Sequence, residues 1–143
     1  MASIRRLAAA DYDALLSLWQ RAGLAGVRPE GRDSREAFAR QLDRGQVVLG
    51  LEESGKLIGC VVATHDTRKG WINRLAIDPA HRRKGHARRL IRAAEEVLRE
   101  QGMSVLAALI EDWNDASLEL FKQAGYHVDS DVIYVSKRDS AEA

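Results

Sequence analysis

The chain has 143 residues and nearly balanced charge, 22 Lys and Arg against 21 Asp and Glu, for a formal net charge of +1. Its composition, 45% apolar and 30% charged, fits a globular core and excludes a disordered or collagen-like chain. One cysteine, Cys60, allows neither an internal disulfide nor a Cys-rich metal centre, so no metal is expected. No apolar run approaches the roughly 18 residues that cross a bilayer, and Asp11 and Asp13 interrupt any signal-like run after Arg5 and Arg6. The expectation is one cytoplasmic domain over residues 1–143, with a core over 3–137 and a short polar tail over 138–143.

In chain order, Ser3–Leu7 reads as a short edge strand. Asp11 can cap a helix whose apolar stripe is Leu15, Leu18, Trp19 and Ala22. Gly23, Gly26, Pro29 and Gly31 break regularity and mark a loop. A second helix begins near Asp33 or Ser34; Glu36 lies three residues after Asp33 in the manner of a capping box, and Phe38 and Leu42 share a face.

Three strands follow: Gln46–Glu52, Leu57–Thr64 after a Ser54-Gly55 turn, and Trp71–Ile77, which stops at Asp78-Pro79. Ala87, Leu90, Ile91, Ala94 and Leu98 make the stripe of a long helix, with Gly102 as its stop. Val105–Ile110 is a buried strand, Asn114 caps a short helix ending at Ala124-Gly125, and Val132–Val135 closes the sheet. The fold class expected is α+β or α/β in three layers. Its core is a mixed, mostly antiparallel sheet of about 6–7 strands, with helices on both faces.

The charge is unevenly spread. From His81 to Arg92 there are Arg82, Arg83, Lys84, Arg88, Arg89 and Arg92 and no acid, so the remainder is net acidic. This basic stretch joins a strand to a helix. A helix start leaves backbone N–H groups unpaired and carries partial positive charge, and Gly85 lets an anion approach the backbone. The residues therefore suit a phosphate or pyrophosphate. They match neither G-x-x-x-x-G-K-[ST] nor G-x-G-x-x-G, so ATP and dinucleotide binding do not follow. Two other readings stand beside it: a solvated charged face, and a nucleic-acid face over Arg82–Arg92. The acidic remainder and the lack of an interleaved aromatic count against nucleic acid.

Arg82-x-x-Gly85-x-Ala87, preceded by Leu75-Ala76-Ile77 and Asp78-Pro79, resembles the acetyl-CoA signature of the GNAT N-acetyltransferases. Asn114-x-x-Ser117-x-x-Leu120-Phe121 followed by Gly125-Tyr126 is similar to a second motif of that family. The resemblance spans Ser3–Lys137, is nearest to the small single-domain bacterial members, and implies a sheet splayed between its fourth and fifth strands. It implies that Leu75, Ala76 and Ile77 pair with the pantetheine arm of acetyl-CoA. Arg82, Arg83, Lys84, Gly85, His86, Ala87 and Arg88 would surround its pyrophosphate, Asn114 would hydrogen-bond it, and Phe121 would pack near the thioester. The implied reaction is direct acetyl transfer to a primary amine, on a small cationic molecule or a peptide, in a ternary complex. A homodimer is compatible with the resemblance. Nucleic acid and membrane are not expected partners.

The chain departs from the family pattern at three places. Phe121 stands where a Tyr often protonates the departing sulfur, and Trp71 and Leu109 stand where various members carry a catalytic Glu. Asn73 and Glu111 are the substitutes assigned to catalysis, with Asp112, His65 and Tyr126 as further options. A CoA-binding regulatory domain without efficient turnover is the alternative function. Glu111, Asp112, Asp115 and Glu119 either favour a cationic acceptor or solvate a helix start.

Overall fold

A computed structural model describes residues 1–143. Its sheet has five strands in the order β1 (Ser3–Arg6), β2 (Val47–Glu53), β3 (Lys56–His65), β4 (Gly70–Ile77) and β5 (Leu106–Ala107). The first four pair antiparallel, and β4–β5 is parallel. Helices α1 (Tyr12–Arg21) and α2 (Arg35–Asp43) cover one face; α3 (His86–Glu100) and α4 (Asp115–Gln123) lie on the other.

The two faces follow from strand alternation. Leu49, Leu51, Val61, Ala63 and Ile72 meet Leu90, Ile91, Ala94 and Leu98 of α3, while Val48, Cys60, Val62 and Ala76 meet Leu15, Leu18, Trp19 and Phe38. Each fully buried Leu or Ile among them contributes about 1.5–3 kcal/mol of transfer free energy. Gly59 of β3 lets α3 sit close: a Cβ there would lie 2.9 Å from Ile77 Cδ1 and 3.1 Å from Leu90 Cδ1.

β4 carries a bulge. Cys60 pairs with Ala76 and Val62 with Asn73, so Arg74 and Leu75 both face Val61. The extra residue reverses the alternation beyond it. Asn73 and Arg74 therefore share the α1 side, and Leu75 and Ile77 pack on the α3 side. Arg74 sits at φ +52°, the left-handed region that glycine usually fills in such a bulge.

Two expectations about the sheet are corrected. The strand expected over Val105–Ile110 is paired only at Leu106–Ala107, because β4 and β5 diverge after Trp71↔Ala107. Val132–Val135 does not close the sheet; these residues are 66–85% exposed. A two-residue β5 offers too short an edge to align another strand. The divergence itself is the expected splay.

Helices α1 and α2 start where expected, after Asp11 and Ser34, but their capping bonds differ from the expected ones. The Asp11 carboxylate does not cap α1 but accepts from Ala8 N and from Arg5. For α2 the cap is Ser34, which accepts from Ala37 N at 3.1 Å, and no capping box involves Glu36. Asp33 is thereby left free to turn inward.

Candidate active site

The strand-to-helix connection after β4 is built on Asp78 and Gly85. Asp78 is 5% exposed and accepts from Ala80 N at 2.9 Å and Arg21 Nε at 3.0 Å. The backbone bond first, then Arg21, holds its carboxyl below the usual range against the opposing effect of burial. This fixes the turn at Pro79–His81. Gly85 then starts α3 at φ +79°, with open space where a Cβ would stand.

Between these anchors, the main-chain N–H groups of Arg83 through Arg88 donate to no protein acceptor. They border a cleft of about 290 Å³ lined by Ile77, Arg83, Gly85, Ala87, Arg88 and Leu120, among others. A run of unsatisfied N–H groups at a helix start, with no side chain at Gly85, fits a pyrophosphate.

The basic side chains divide into two sets. Arg82 Nε donates to Ile77 O at 3.3 Å and Nη2 to Ala22 O at 3.1 Å. Arg88 Nη2 donates to Gln123 O, and Arg89 Nη2 to Ala2 O. These three guanidiniums hold main chain together. Arg83 and Lys84 are exposed and their side chains bond to no other group of the protein, which leaves them for an anion. His86, beside the cleft, has both ring nitrogens buried without a partner.

Beyond Trp71 the β5-facing edge of β4 has no strand partner, so the main-chain groups of Leu75 and Ile77 border the gap, whereas Ala76, opposite Cys60, turns its own towards β3, contrary to the expectation that all three line it. Cradle and open edge are contiguous at Ile77.

The other residues singled out in the sequence are scattered. Asn114 Oδ1 caps α4 by accepting from Ser117 N, leaving its Nδ2 unengaged. Phe121 is 5% exposed in the α3-side core and meets Tyr126 edge-on at 5.0 Å. Tyr126 donates its hydroxyl to Glu95 Oε2 at 2.6 Å, and burial together with Glu95 pushes its pKa up. It is thus committed to joining the end of α4 to α3. Asn73, half-buried on β4, is 3.5 Å from Thr64 Oγ1. Glu111 and Asp112 are exposed before α4, and His65 accepts from Thr67 N in the exposed β3–β4 turn.

A second cluster was not singled out in the sequence. Arg74 Nη2 lies 2.9 Å from Asp33 Oδ2, and its guanidinium sits 4.8 Å over the Trp19 ring. In the sequence Trp19 reads as an apolar stripe residue and Asp33 as a helix-start candidate, on either side of the glycine-rich loop, and nothing marks Arg74.

A mixed sheet opened between two strands, beside a run of unpaired N–H groups at a helix start, suits a ligand with an anionic head and an extended arm. The family comparison gives the particular case. Residues 12–126 match the acetyltransferase (GNAT) family, and the chain belongs to it. The chain is 28% identical over 136 residues to acetyltransferase YE1169 of Yersinia enterocolitica, covering 94% of each. Among solved structures it is similar to the PaiA N-acetyltransferase of Thermoplasma acidophilum in complex with coenzyme A. That match has TM-score 0.80 and 18% identity, over 90% of this chain and 91% of that one. It is also similar to a ribosomal-protein alanine N-acetyltransferase of Escherichia coli, with TM-score 0.74 and 22% identity over 87% and 77%. The protein is an acetyltransferase with acetyl-CoA as its donor. No helix is long and apolar enough to cross a membrane.

Proposed function

We propose that the chain, a single catalytic domain acting in the cytoplasm, transfers acetyl from acetyl-CoA to a primary amine by direct attack in a ternary complex. The observation that carries this reading is the continuity of the unpaired N–H groups of Arg83–Arg88 with the open edge of β4. Arg83–Arg88 hold the pyrophosphate through main chain, with Arg83 and Lys84 adding charge. Leu75 and Ile77 hydrogen-bond the pantetheine arm as an added strand would, and Asn114 Nδ2 supplies one further donor. Acetyl-CoA supplies an acyl group activated as a thioester.

The Ile77 N–H is the candidate to stabilise negative charge on the acyl oxygen. Phe121 has no proton to give and acts as an apolar wall. A thiol of pKa about 8.5 leaves without a strong acid. The incoming ammonium must lose a proton, and Asn73 orients the amine or its water while Glu111 takes the proton through solvent.

The acceptor is a small amine or the amino group of a peptide or protein. The Escherichia coli relative, by its name, acts on an alanine of a ribosomal protein. Exposed Glu111, Asp112, Asp115 and Glu119 favour a cationic group near the mouth of the splay. A nucleic-acid face is weakened because Arg82, Arg88 and Arg89 are occupied by main-chain carbonyls.

Calorimetry with acetyl-CoA and a thiol-release assay over small amines and peptide N-termini test the reading. Micromolar binding with turnover on one class is expected. Binding without turnover across the panel would leave a CoA-binding module, and no binding would overturn the cradle.

A further inference from the structure

We infer that Arg74 is a positioning residue that fastens the loop between α1 and α2 to the donor strand, and so places the acceptor amine against the thioester. The inference rests on the acetyl-transfer reading for its function, though not for its structural part.

Access comes first. Leu75 and Ile77 pack into the core beneath α3, so that face of β4 is filled. An acceptor reaches the acyl group beside them from the opposite face, where α1 and the segment 22–34 lie. The contact between this segment and β4 is made at the bulge. Arg74 Nη2 is 2.9 Å from Asp33 Oδ2 and 3.5 Å from Gly26 O, and the guanidinium lies over Trp19 near the end of α1.

Asp33 organises the loop from its own side. Its Oδ2 accepts from Arg28 N at 2.7 Å, and its carbonyl accepts from the Tyr12 hydroxyl at 2.6 Å. Ser34 takes the cap of α2, so Asp33 is not needed there. The loop's fold and its attachment to β4 thus meet in one carboxylate, 7% exposed.

The strand side is equally constrained. Arg74 holds φ +52° inside a strand, which a branched-at-Cβ or bulky side chain adopts only when its surroundings over-determine it. Its carbonyl accepts the Cys60 thiol at 3.6 Å, and its Nη1 is buried with no acceptor. Asp33 is therefore the only carboxylate paired with this guanidinium. The next three residues are Leu75, Ala76 and Ile77. A shift of the loop is felt directly at the donor strand, and a displacement of about 1 Å between amine and acyl carbon costs on the order of a hundredfold in rate.

Arg74→Leu, Arg74→Lys and Arg74→Gly test this, Gly being the variant the left-handed backbone accommodates if Leu does not fold. Acetyl-CoA affinity by calorimetry should change less than about threefold, while the acceptor KM rises about tenfold or more with a smaller fall in kcat; Lys should recover part of the KM. Hydrogen exchange across residues 24–34 in the ligand-free protein should quicken about tenfold in Leu and Gly. Unaltered exchange overturns the attachment, whatever the activity. Faster exchange with unaltered acceptor KM overturns the positioning role, and an equal loss of acetyl-CoA affinity moves Arg74 to the donor site. If no amine is acetylated by the unsubstituted protein, the transfer reading fails while the exchange result still decides the attachment.

Discussion

The proposed donor and acceptor sides of this molecule are made of different materials. The phosphate cradle is contiguous main chain from Arg83 to Arg88, shaped by one glycine and one buried aspartate. The acceptor side is held by side chains far apart in sequence: Trp19, Asp33 and Arg74, the last two 41 residues apart. Main chain tolerates side-chain replacement unless its dihedral angles change. A side-chain bracket fails when any member is lost.

That contrast can be broken by experiment. Asp33→Ala should be the costliest change, because it strands the Arg74 guanidinium in a part-buried site: about 3 kcal/mol lost in a denaturant titration. A loss below about 1 kcal/mol would make the bracket dispensable. Gly85→Asp comes next. It adds a carboxylate at the anion site and gives a left-handed position a Cβ, so acetyl-CoA should bind about fiftyfold more weakly by calorimetry. Arg83→Glu should cost nearer tenfold, with an effect that shrinks in salt. If Arg83 matters more than Gly85, the cradle is a side-chain site after all.

Tyr126→Phe sharpens the picture at the rear of the fold. It removes the hydroxyl bonded to Glu95 and should cost about 1 kcal/mol of stability, with kcat within about twofold. A tenfold loss of kcat would make Tyr126 a proton donor instead. Asp78 gives the smallest effect. Its pKa is depressed in the folded state, so its stabilisation is complete above the ordinary carboxylate pKa of about 3.9 and fades as pH falls through the lower native value. Thermal melts from pH 6 to 2 should show an acid limb that Asp78→Asn flattens.

The same division explains what could be read in advance. Helices α1 and α3 follow from apolar spacing and glycine stops, and α4 from its Asn114 cap and the Gly125 stop. The cradle follows because its signal lies within a few consecutive residues. Ser34 and Asp33 both suit an N-cap, and local sequence alone does not choose between them; a tertiary partner, Arg74, does. Nor does anything local mark Arg74 as left-handed. A glycine there would have signalled the bulge, whereas an arginine in a strand-like run reads as an ordinary strand residue. The short β5 was hidden for a related reason: Val105–Ile110 has strand composition throughout, and nothing local marks where it leaves β4. The acceptor's identity stays a property of side chains assembled only by folding.

Cys60 has a consequence for watching the protein move. It is the chain's only thiol, fully buried in β3, and desolvation pushes its pKa up to about 12. Thiolate reagents therefore meet almost no reactive sulfur in the closed fold. Labelling proceeds only when β3 parts from β4 and α1, the elements that Arg74 ties together. The chain thus carries its own clock, and the rate at which Cys60 is modified measures how often the core between β3 and α1 opens, locally or by global unfolding.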